Sequence, residues 1–182
     1  MLQAFIQEAN LTNSSNDKIA VIKKYPTLQK MFKYVYDEQI QYGVTSANCK
    51  KVNISRPCIY DDIYELLDAL SSRKLTGHDA IAQINGFVDK NGFAEEVYKI
   101  IDKDLKTRTD SSLINKAFPG CVPTFEVALC KVYADCVKKV NFEKDTWMAS
   151  RKLDGCRCIT IINEKGNIRF WSRKGKEFIT LD

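Results

Sequence analysis

The sequence predicts an α+β protein in which a helical N-terminal domain precedes a smaller region of antiparallel β-structure. Apolar residues recur at intervals of three and four up to about residue 122, and two apolar segments near the C-terminus flank a five-residue turn. The 182 residues are 45% hydrophobic and 28% charged, which is typical of a soluble globular chain and excludes collagen-like and disordered classes. We therefore predict two domains, residues 1–122 and 123–182.

Helices of the first domain are predicted from apolar stripes and from residues that cap helix ends. Ser14, Thr76 and Asp110 precede helical patterns, at positions where a side-chain oxygen accepts hydrogen bonds from the first amides. Pro119-Gly120 ends the last helix, because proline cannot continue it and glycine accepts a left-handed backbone. Each stripe is expected to face the core. The two clearest stripes are Leu28, Met31, Phe32, Val35 and Tyr36, and Ile59, Ile63, Leu66, Leu67 and Leu70.

The second domain is predicted to contain a strand, a short helix and a hairpin. Apolar residues alternate over 125–130, which favours a strand, and residues 132–140 follow a helical pattern. Segments 158–162 and 168–171 flank a turn in which Gly166 can take a positive φ. We expect these two segments to pair as antiparallel strands.

Composition excludes several classes of function. The seven cysteines include no CxxC pair, so they predict neither a zinc ribbon nor a disulfide framework. His78 is the only histidine, so a Ser-His-Asp or Cys-His nucleophile would need His78 as its base. No apolar run approaches the ~20 residues that cross a bilayer, and the N-terminus lacks the basic flank of a signal peptide. We therefore expect a cytoplasmic protein without a membrane partner.

A dense pattern of charged residues precedes the hairpin. Residues 152–157 are Lys-Leu-Asp-Gly-Cys-Arg, and Ser172-Arg173-Lys174-Gly175 follows at the end of the second strand. At average residue usage, K-x-D-G-x-R arises by chance in roughly a few chains per thousand of this length. A lysine amine is nucleophilic only when neutral, so Lys152 would need a nearby cation such as Arg157 to lower its pKa. The alternative is a solvated turn whose charges form weak surface ion pairs.

These two motifs resemble the nucleophile motif, and the motif that follows it, of the covalent nucleotidyltransferases: DNA ligases, RNA ligases and mRNA capping enzymes. The resemblance implies an incomplete antiparallel nucleotidyltransferase (adenylation) sheet, Lys152 as the catalytic nucleophile, and ATP and Mg²⁺ as cofactors. It also implies that the nucleotide is bound by Ser150, Asp154, Gly155, Arg157 and Arg173.

Three helical-region segments are similar to the N-terminal DNA-binding domain of the ATP-dependent DNA ligases of T-even bacteriophages. They are Arg73 to Gly77 followed by Ala80-Ile81, then Asp104-Leu105, and then Asn115 to Gly120. One departure lies in the second segment: the family has a glycine at the turn after the triplet matching Lys103 to Leu105, whereas this chain continues Lys106-Thr107-Arg108. RNA ligases and capping enzymes lack this helical domain, so the resemblance favours a DNA ligase.

The resemblance implies a monomer that binds nicked double-stranded DNA in the cytoplasm, the host cytoplasm if phage-encoded, and serves DNA repair, replication and recombination. Its cations and helix-end amides would contact phosphates without reading bases. We expect the chain to comprise the DNA-binding domain and the start of the adenylation domain, with little activity alone. A non-catalytic duplex-DNA-binding module and an RNA ligase or capping-type nucleotidyltransferase remain open alternatives. The predicted DNA contacts are Lys74, Thr76, Gly77, Lys103, Arg108 and Lys116.

Overall fold

The computed structural model describes residues 1–125, 127–151 and 153–181. The chain divides into two compact units, Met1–Thr124 and Phe125–Asp182, and each is described by itself. The first unit is helical and the second contains a two-stranded antiparallel sheet, so the predicted α+β class is confirmed. Among the described residues, no helix combines the length and the apolar character that crossing a bilayer requires.

Eight α-helices and one short 3₁₀ turn, Pro26–Leu28, make up the first unit, all of whose residues are described. The longest is α6, which Gly92 ends with a φ of +72° at the C-cap. In chain order the helices are α1 Leu2–Asn10, α2 Ser15–Lys23, α3 Gln29–Tyr36, α4 Ser46–Val52, α5 Ile63–Ser71, α6 Gly77–Asn91, α7 Ala94–Ile101 and α8 Ser111–Ala117.

One apolar core holds these helices together. Phe5 of α1 contacts Phe32 of α3 edge-on, with ring centroids 5.0 Å apart. The predicted stripes of α3 and α5 face this core, but Ile59 is an exception and is 76% exposed. The reason is local: Asp62 accepts a hydrogen bond from the amide of Tyr64, so α5 begins after Ile59. Fully buried side chains include Phe5, Phe32, Ile22, Leu66, Leu67, Leu70, Ile84 and Leu105.

The three predicted capping residues all stand at helix starts, but only one caps with its side chain. Asp110 accepts a hydrogen bond from the amide of Leu113 over 2.8 Å. Ser14 and Thr76 precede α2 and α6 without a side-chain cap bond. Sequence therefore located these helix starts correctly, whereas the local backbone decides whether the hydroxyl reaches an amide.

Helix α4 and the extended segment that follows it are held against α6, in part by the side chain of Asn85. The side-chain amide of Asn85 donates to the carbonyls of Cys49, over 3.2 Å, and Ile54, over 2.9 Å. A Cβ atom on Gly86 would lie 1.8 Å from the carbonyl oxygen of Arg56. Two adjacent residues of α6 therefore allow this segment to pack closely. Asn85 supplies a buried side-chain donor, and Gly86 leaves room for the carbonyl of Arg56.

The second unit contains a short helix, α9 (Tyr133–Cys136), a 3₁₀ turn (Val137–Lys139) and the strands β1 (Cys158–Ile162) and β2 (Ile168–Ser172). The strands pair antiparallel from Cys158 with Ser172 to Ile162 with Ile168, so the predicted hairpin is confirmed.

The predicted strand over 125–130 is wrong, because the described residues of this segment have no strand partner. Phe125 stacks instead on Trp171 with ring centroids 6.2 Å apart. The carbonyl of Ala128 accepts a hydrogen bond from Arg157 over 2.9 Å. Contacts made by side chains thus hold this segment instead of backbone hydrogen bonds to a neighbouring strand. Alternation of apolar residues does not by itself supply such a neighbour.

Candidate functional site

The open end of the hairpin brings two arginines together. Cys158 pairs with Ser172 in the last register position, so Arg157 precedes and Arg173 follows the same pair. Both side chains are exposed and both line one open cleft. Two neighbouring guanidinium groups repel each other unless an anion lies between them, so this end of the hairpin is suited to a phosphate.

The turn that carries Arg173 requires glycine at its fourth position. The amide of Gly175 donates to the carbonyl of Ser172 over 3.0 Å, and the amide of Lys176 donates to the Ser172 hydroxyl over 3.0 Å. Gly175 has a φ of +75°, and a Cβ atom there would lie 2.6 Å from Phe125. The glycine of the Ser-Arg-x-Gly motif therefore allows both the turn and the close packing of Phe125.

The cleft has a volume of about 930 Å³. One wall is formed by Asp154, Gly155 and Arg157, and Gly155 has a φ of +151° that side-chain-bearing residues rarely adopt. Arg157 is held in place by its hydrogen bond to the carbonyl of Ala128. The remaining lining residues are Leu129, Cys130, Leu153, Cys156, Cys158 and Arg173.

Four of the predicted nucleotide-site residues thus meet at one cleft: Asp154, Gly155, Arg157 and Arg173. Ser150 is exposed and is not among the residues that line the cleft. Lys152, the predicted nucleophile, lies outside the described residues. Its position between Arg151 and Leu153 places it next in sequence to the cleft wall.

The described part of the cleft holds no cage of protein ligands for a metal ion. Asp154 is the one carboxylate among its described lining residues. No group of three or more His, Cys, Asp or Glu side chains in the described chain could hold a metal ion. Protein sites for Mg²⁺ usually combine one or two carboxylates with substrate phosphates, so the single carboxylate of Asp154 is compatible with a Mg²⁺ ion held mainly by nucleotide phosphates.

The turn between α5 and α6 carries three predicted DNA contacts. Lys74, Thr76 and Gly77 are all exposed. Gly77 begins α6 with a φ of +59°, and no atom lies within 4 Å of where its Cβ would be. Because Thr76 makes no side-chain cap bond, the start of α6 is open on this side.

The loop between α7 and α8 contains two of the other predicted contacts, Lys103 and Arg108, whereas Lys116 lies in α8. Three basic residues of this loop adopt a left-handed backbone. The φ angles are +57° at Lys103, +58° at Lys106 and +52° at Arg108. Lys106 is paired with Asp104 over 2.6 Å, and hydrogen bonds from the side chain and amide of Lys106 lower the pKa of Asp104. Such conformations are costly for residues other than glycine, so tertiary contacts must hold the loop.

Lys103 faces inward rather than outward. Its ammonium donates to the carbonyl of Asp37 and, over 2.6 Å, to the carbonyl of Ile40. These bonds tie the start of the loop to the segment after α3. We therefore assign Lys103 a role in holding the loop rather than the predicted direct contact with phosphate.

Arg108 and Lys116 are exposed. The guanidinium of Arg108 donates to the side-chain oxygen of Asn13 over 3.2 Å. The departure from the family's glycine falls in Lys106-Thr107-Arg108, where the first and last residues keep a left-handed backbone. A backbone conformation that glycine adopts without steric cost thus occurs in this segment although it contains no glycine.

Sequence reasoning missed Lys18, which is 4% exposed and donates to the carbonyls of Thr107 and Arg108. One signal was present: Lys18 lies three and four residues before Val21 and Ile22, which are buried on the same face of α2. A lysine in an apolar stripe indicates an internal partner for its ammonium.

Comparisons with known proteins support a DNA ligase-type N-terminal region, as the sequence motifs indicated. No protein-family model matches the sequence. The DNA ligases of the enterobacteria phages T4 and T6 are each 25% identical to the chain over 199 aligned positions, which cover 100% of the chain. The alignment covers 39% of each phage ligase, so the chain spans about two fifths of these curated relatives.

Two solved structures have the same fold over nearly the whole chain. They are named Pmar-Lig_PreS3 and Pmar-Lig_Pre, and their TM-scores are 0.71 and 0.72 at 25% and 26% identity. Each match covers 98% of this chain and 43% of the solved chain. Sequence and structure thus relate the chain to the N-terminal part of DNA ligases.

Proposed function

We propose that the chain is the DNA-binding and nucleotide-binding part of an ATP-dependent DNA ligase that seals nicks in duplex DNA. The observation that carries the proposal is the cleft in which Arg157 and Arg173 meet beside Asp154 and Gly155. This cleft adjoins position 152 in the sequence, where the motif has its lysine. The relationship to DNA ligases supports the same reaction.

In the proposed first step, the neutral amine of Lys152 attacks the α-phosphorus of ATP. A nitrogen–phosphorus bond forms, the bond to the bridging oxygen breaks, and pyrophosphate leaves. The ammonium proton is lost to solvent before attack. Arg157 and Arg173 supply fixed positive charge that binds the phosphates and stabilises the negative charge of the transition state.

Two further transfers complete the reaction. A 5′-phosphate oxygen at the nick attacks the phosphorus of the lysyl-AMP, which forms a phosphoanhydride and releases Lys152. The 3′-hydroxyl then attacks the 5′-phosphorus, forms the phosphodiester bond and releases AMP. Positioning and charge neutralisation supply most of the acceleration of phosphoryl transfer, so the chain must also hold the DNA.

The first unit is proposed to provide the DNA contacts. Exposed Lys74, Arg108 and Lys116 can neutralise phosphates, and the open start of α6 at Gly77 can offer amides to one. Contacts of this kind bind the backbone without reading bases. A nick sealer acts at any sequence, so such contacts suit its task.

The test of the nucleotide site is adduct formation. The chain is joined to the C-terminal remainder of the T4 phage DNA ligase that it matches, incubated with MgATP, and analysed by peptide mass spectrometry. We expect one adenylyl group on Lys152 and none after Lys152→Arg, because a guanidinium stays protonated and cannot attack. Lys165→Arg, in the exposed hairpin turn, is the matched control and should retain the adduct.

Two outcomes would contradict the proposal. An adenylyl group on another residue would refute the assignment of Lys152, and a preference for GTP would favour a capping-type nucleotidyltransferase. The non-catalytic DNA-binding module is the second candidate, supported by the exposed cations of the first unit. It predicts salt-dependent duplex binding by a protein that forms no adduct.

A further inference from the structure

Lys18 of α2 is a buried lysine whose charge has an unusual set of partners. Its ammonium donates to the carbonyl of Thr107 over 2.6 Å and to that of Arg108 over 3.2 Å. Among the described residues, its ammonium forms no ion pair with a carboxylate. Burying a charge that has only neutral acceptors lowers the stability of the folded state. An apolar side chain would pack at this position without that loss, so packing alone does not explain a lysine here.

A second anchor holds the same stretch of chain. The hydroxyl of Tyr36 shares a hydrogen bond with that of Thr109, which in turn shares one with Thr107 over 2.6 Å. Thr107 is 1% exposed. The backbone on both sides of Arg108 is therefore held from α2 and α3, which stabilises the left-handed conformation of Arg108.

The charges of the loop leave Arg108 as its available cation. Lys103 donates to backbone carbonyls, and Lys106 is paired with Asp104. Asp110 is engaged as the N-cap of α8. The guanidinium of Arg108 contacts the neutral amide oxygen of Asn13 and is exposed, so it can exchange that contact for a phosphate.

We propose that Lys18 is a positioning residue for DNA binding: its ammonium fixes the 107–108 backbone and thereby holds Arg108 toward a phosphate. This role rests on the proposed function, because it concerns a residue that positions part of the proposed DNA-binding surface. Lys18 itself does not touch DNA.

The test measures duplex affinity against salt for the full chain and its variants. Lys18→Met keeps the apolar stem and removes the ammonium, and we expect affinity to fall about tenfold, as for one lost phosphate contact. The slope of log affinity against log salt should become shallower by about 0.9. Lys23→Met, on the exposed face of the same helix, is the matched control and should stay within about twofold of wild type.

A double-mutant cycle separates positioning from general destabilisation. If Lys18 acts through Arg108, then Lys18→Met should cost little further affinity in an Arg108→Ala background. Additive losses, or a Lys18→Met protein with the wild-type salt slope, would overturn the role. If Lys18→Met does not fold, Tyr36→Phe decides the matter, because it removes only the hydroxyl that anchors Thr109 and should also make the slope shallower.

The same measurements distinguish a failure of the proposed DNA-binding function from a failure of the positioning role of Lys18. A wild-type chain without salt-dependent duplex binding would refute the DNA-binding function and this role with it. Wild-type binding combined with an unchanged Lys18→Met slope would refute the positioning role alone.

Discussion

Arg108 offers a way to separate the cost of a backbone conformation from the value of a side chain. It has a φ of +52° in the segment where the ligases that the chain resembles have a glycine. Arg108→Gly removes both the side chain and the steric cost of that conformation. Arg108→Ala removes the side chain but keeps the cost, so the two variants differ in the backbone effect alone.

The difference in stability can be worked out from this geometry. A residue with a Cβ pays about 1–2 kcal/mol in the left-handed region. Glycine avoids that cost but loses about 0.4–1 kcal/mol through the greater freedom of its unfolded chain. The net expectation is that Arg108→Gly is more stable than Arg108→Ala by about 0.5–1 kcal/mol, or roughly 2–5 °C in Tm.

Thermal unfolding of both variants, followed by circular dichroism, tests this expectation. Lys33 lies in the middle of α3 and is exposed, so it provides the control. At that helical position the order should reverse, with Lys33→Ala more stable than Lys33→Gly by about 1 kcal/mol. Equal stabilities of the two Arg108 variants would refute the left-handed backbone. Both Arg108 variants should lose duplex affinity alike, because the side chain is gone in each.

Three further predictions concern stability. Asn85→Ala removes the side-chain donor from a buried hydrogen bond to the carbonyl of Cys49 and from a partly buried one to that of Ile54. It should destabilise the first unit by about 2–4 kcal/mol in urea unfolding; a loss below about 1 kcal/mol would contradict it. Gly175→Ala places a Cβ against Phe125 at a φ of +75°, so the near-ultraviolet dichroism of the second unit should change; an unchanged spectrum would contradict the close packing. Burial raises the pKa of Cys49 to about 11 and that of Tyr34 to about 12. The folded state thus prefers the protonated forms, and the unfolding free energy should hold below about pH 9 and fall as the pH rises toward 12. Cys49→Ala should weaken the dependence between about pH 9 and 11, and an unchanged slope there would contradict the assignment to Cys49.

Local sequence signals predicted most of the elements on which the sites depend. Asp110 marked the start of α8, and the turn around Gly166 marked the hairpin. Both signals depend only on residues close in sequence. A capping side chain indicates the start of a helix, and a glycine that can take a positive φ indicates a turn. The register of the hairpin then brings Arg157 and Arg173 to one end.

Predictions failed where an element needs a distant partner. The alternating segment over 125–130 forms no strand in its described residues, because a strand is stabilised by pairing and this segment packs through side chains. The sequence also did not indicate that the ammonium of Lys103, a predicted DNA contact, binds carbonyls more than 60 residues away in sequence. Charge alone does not say which way a lysine points.

The sequence by itself determined the α+β class, the starts of α2, α6 and α8, the hairpin and the two motifs that relate the chain to DNA ligases. Each of these depends on interactions between residues close in sequence, or on chemistry that a few residue types can perform. The tertiary structure alone decided that Lys18 and Lys103 face inward while Arg108 faces outward. All three are basic residues, and what separates them is which carbonyls the packed helices bring within reach of their side chains, a property that no local pattern contains.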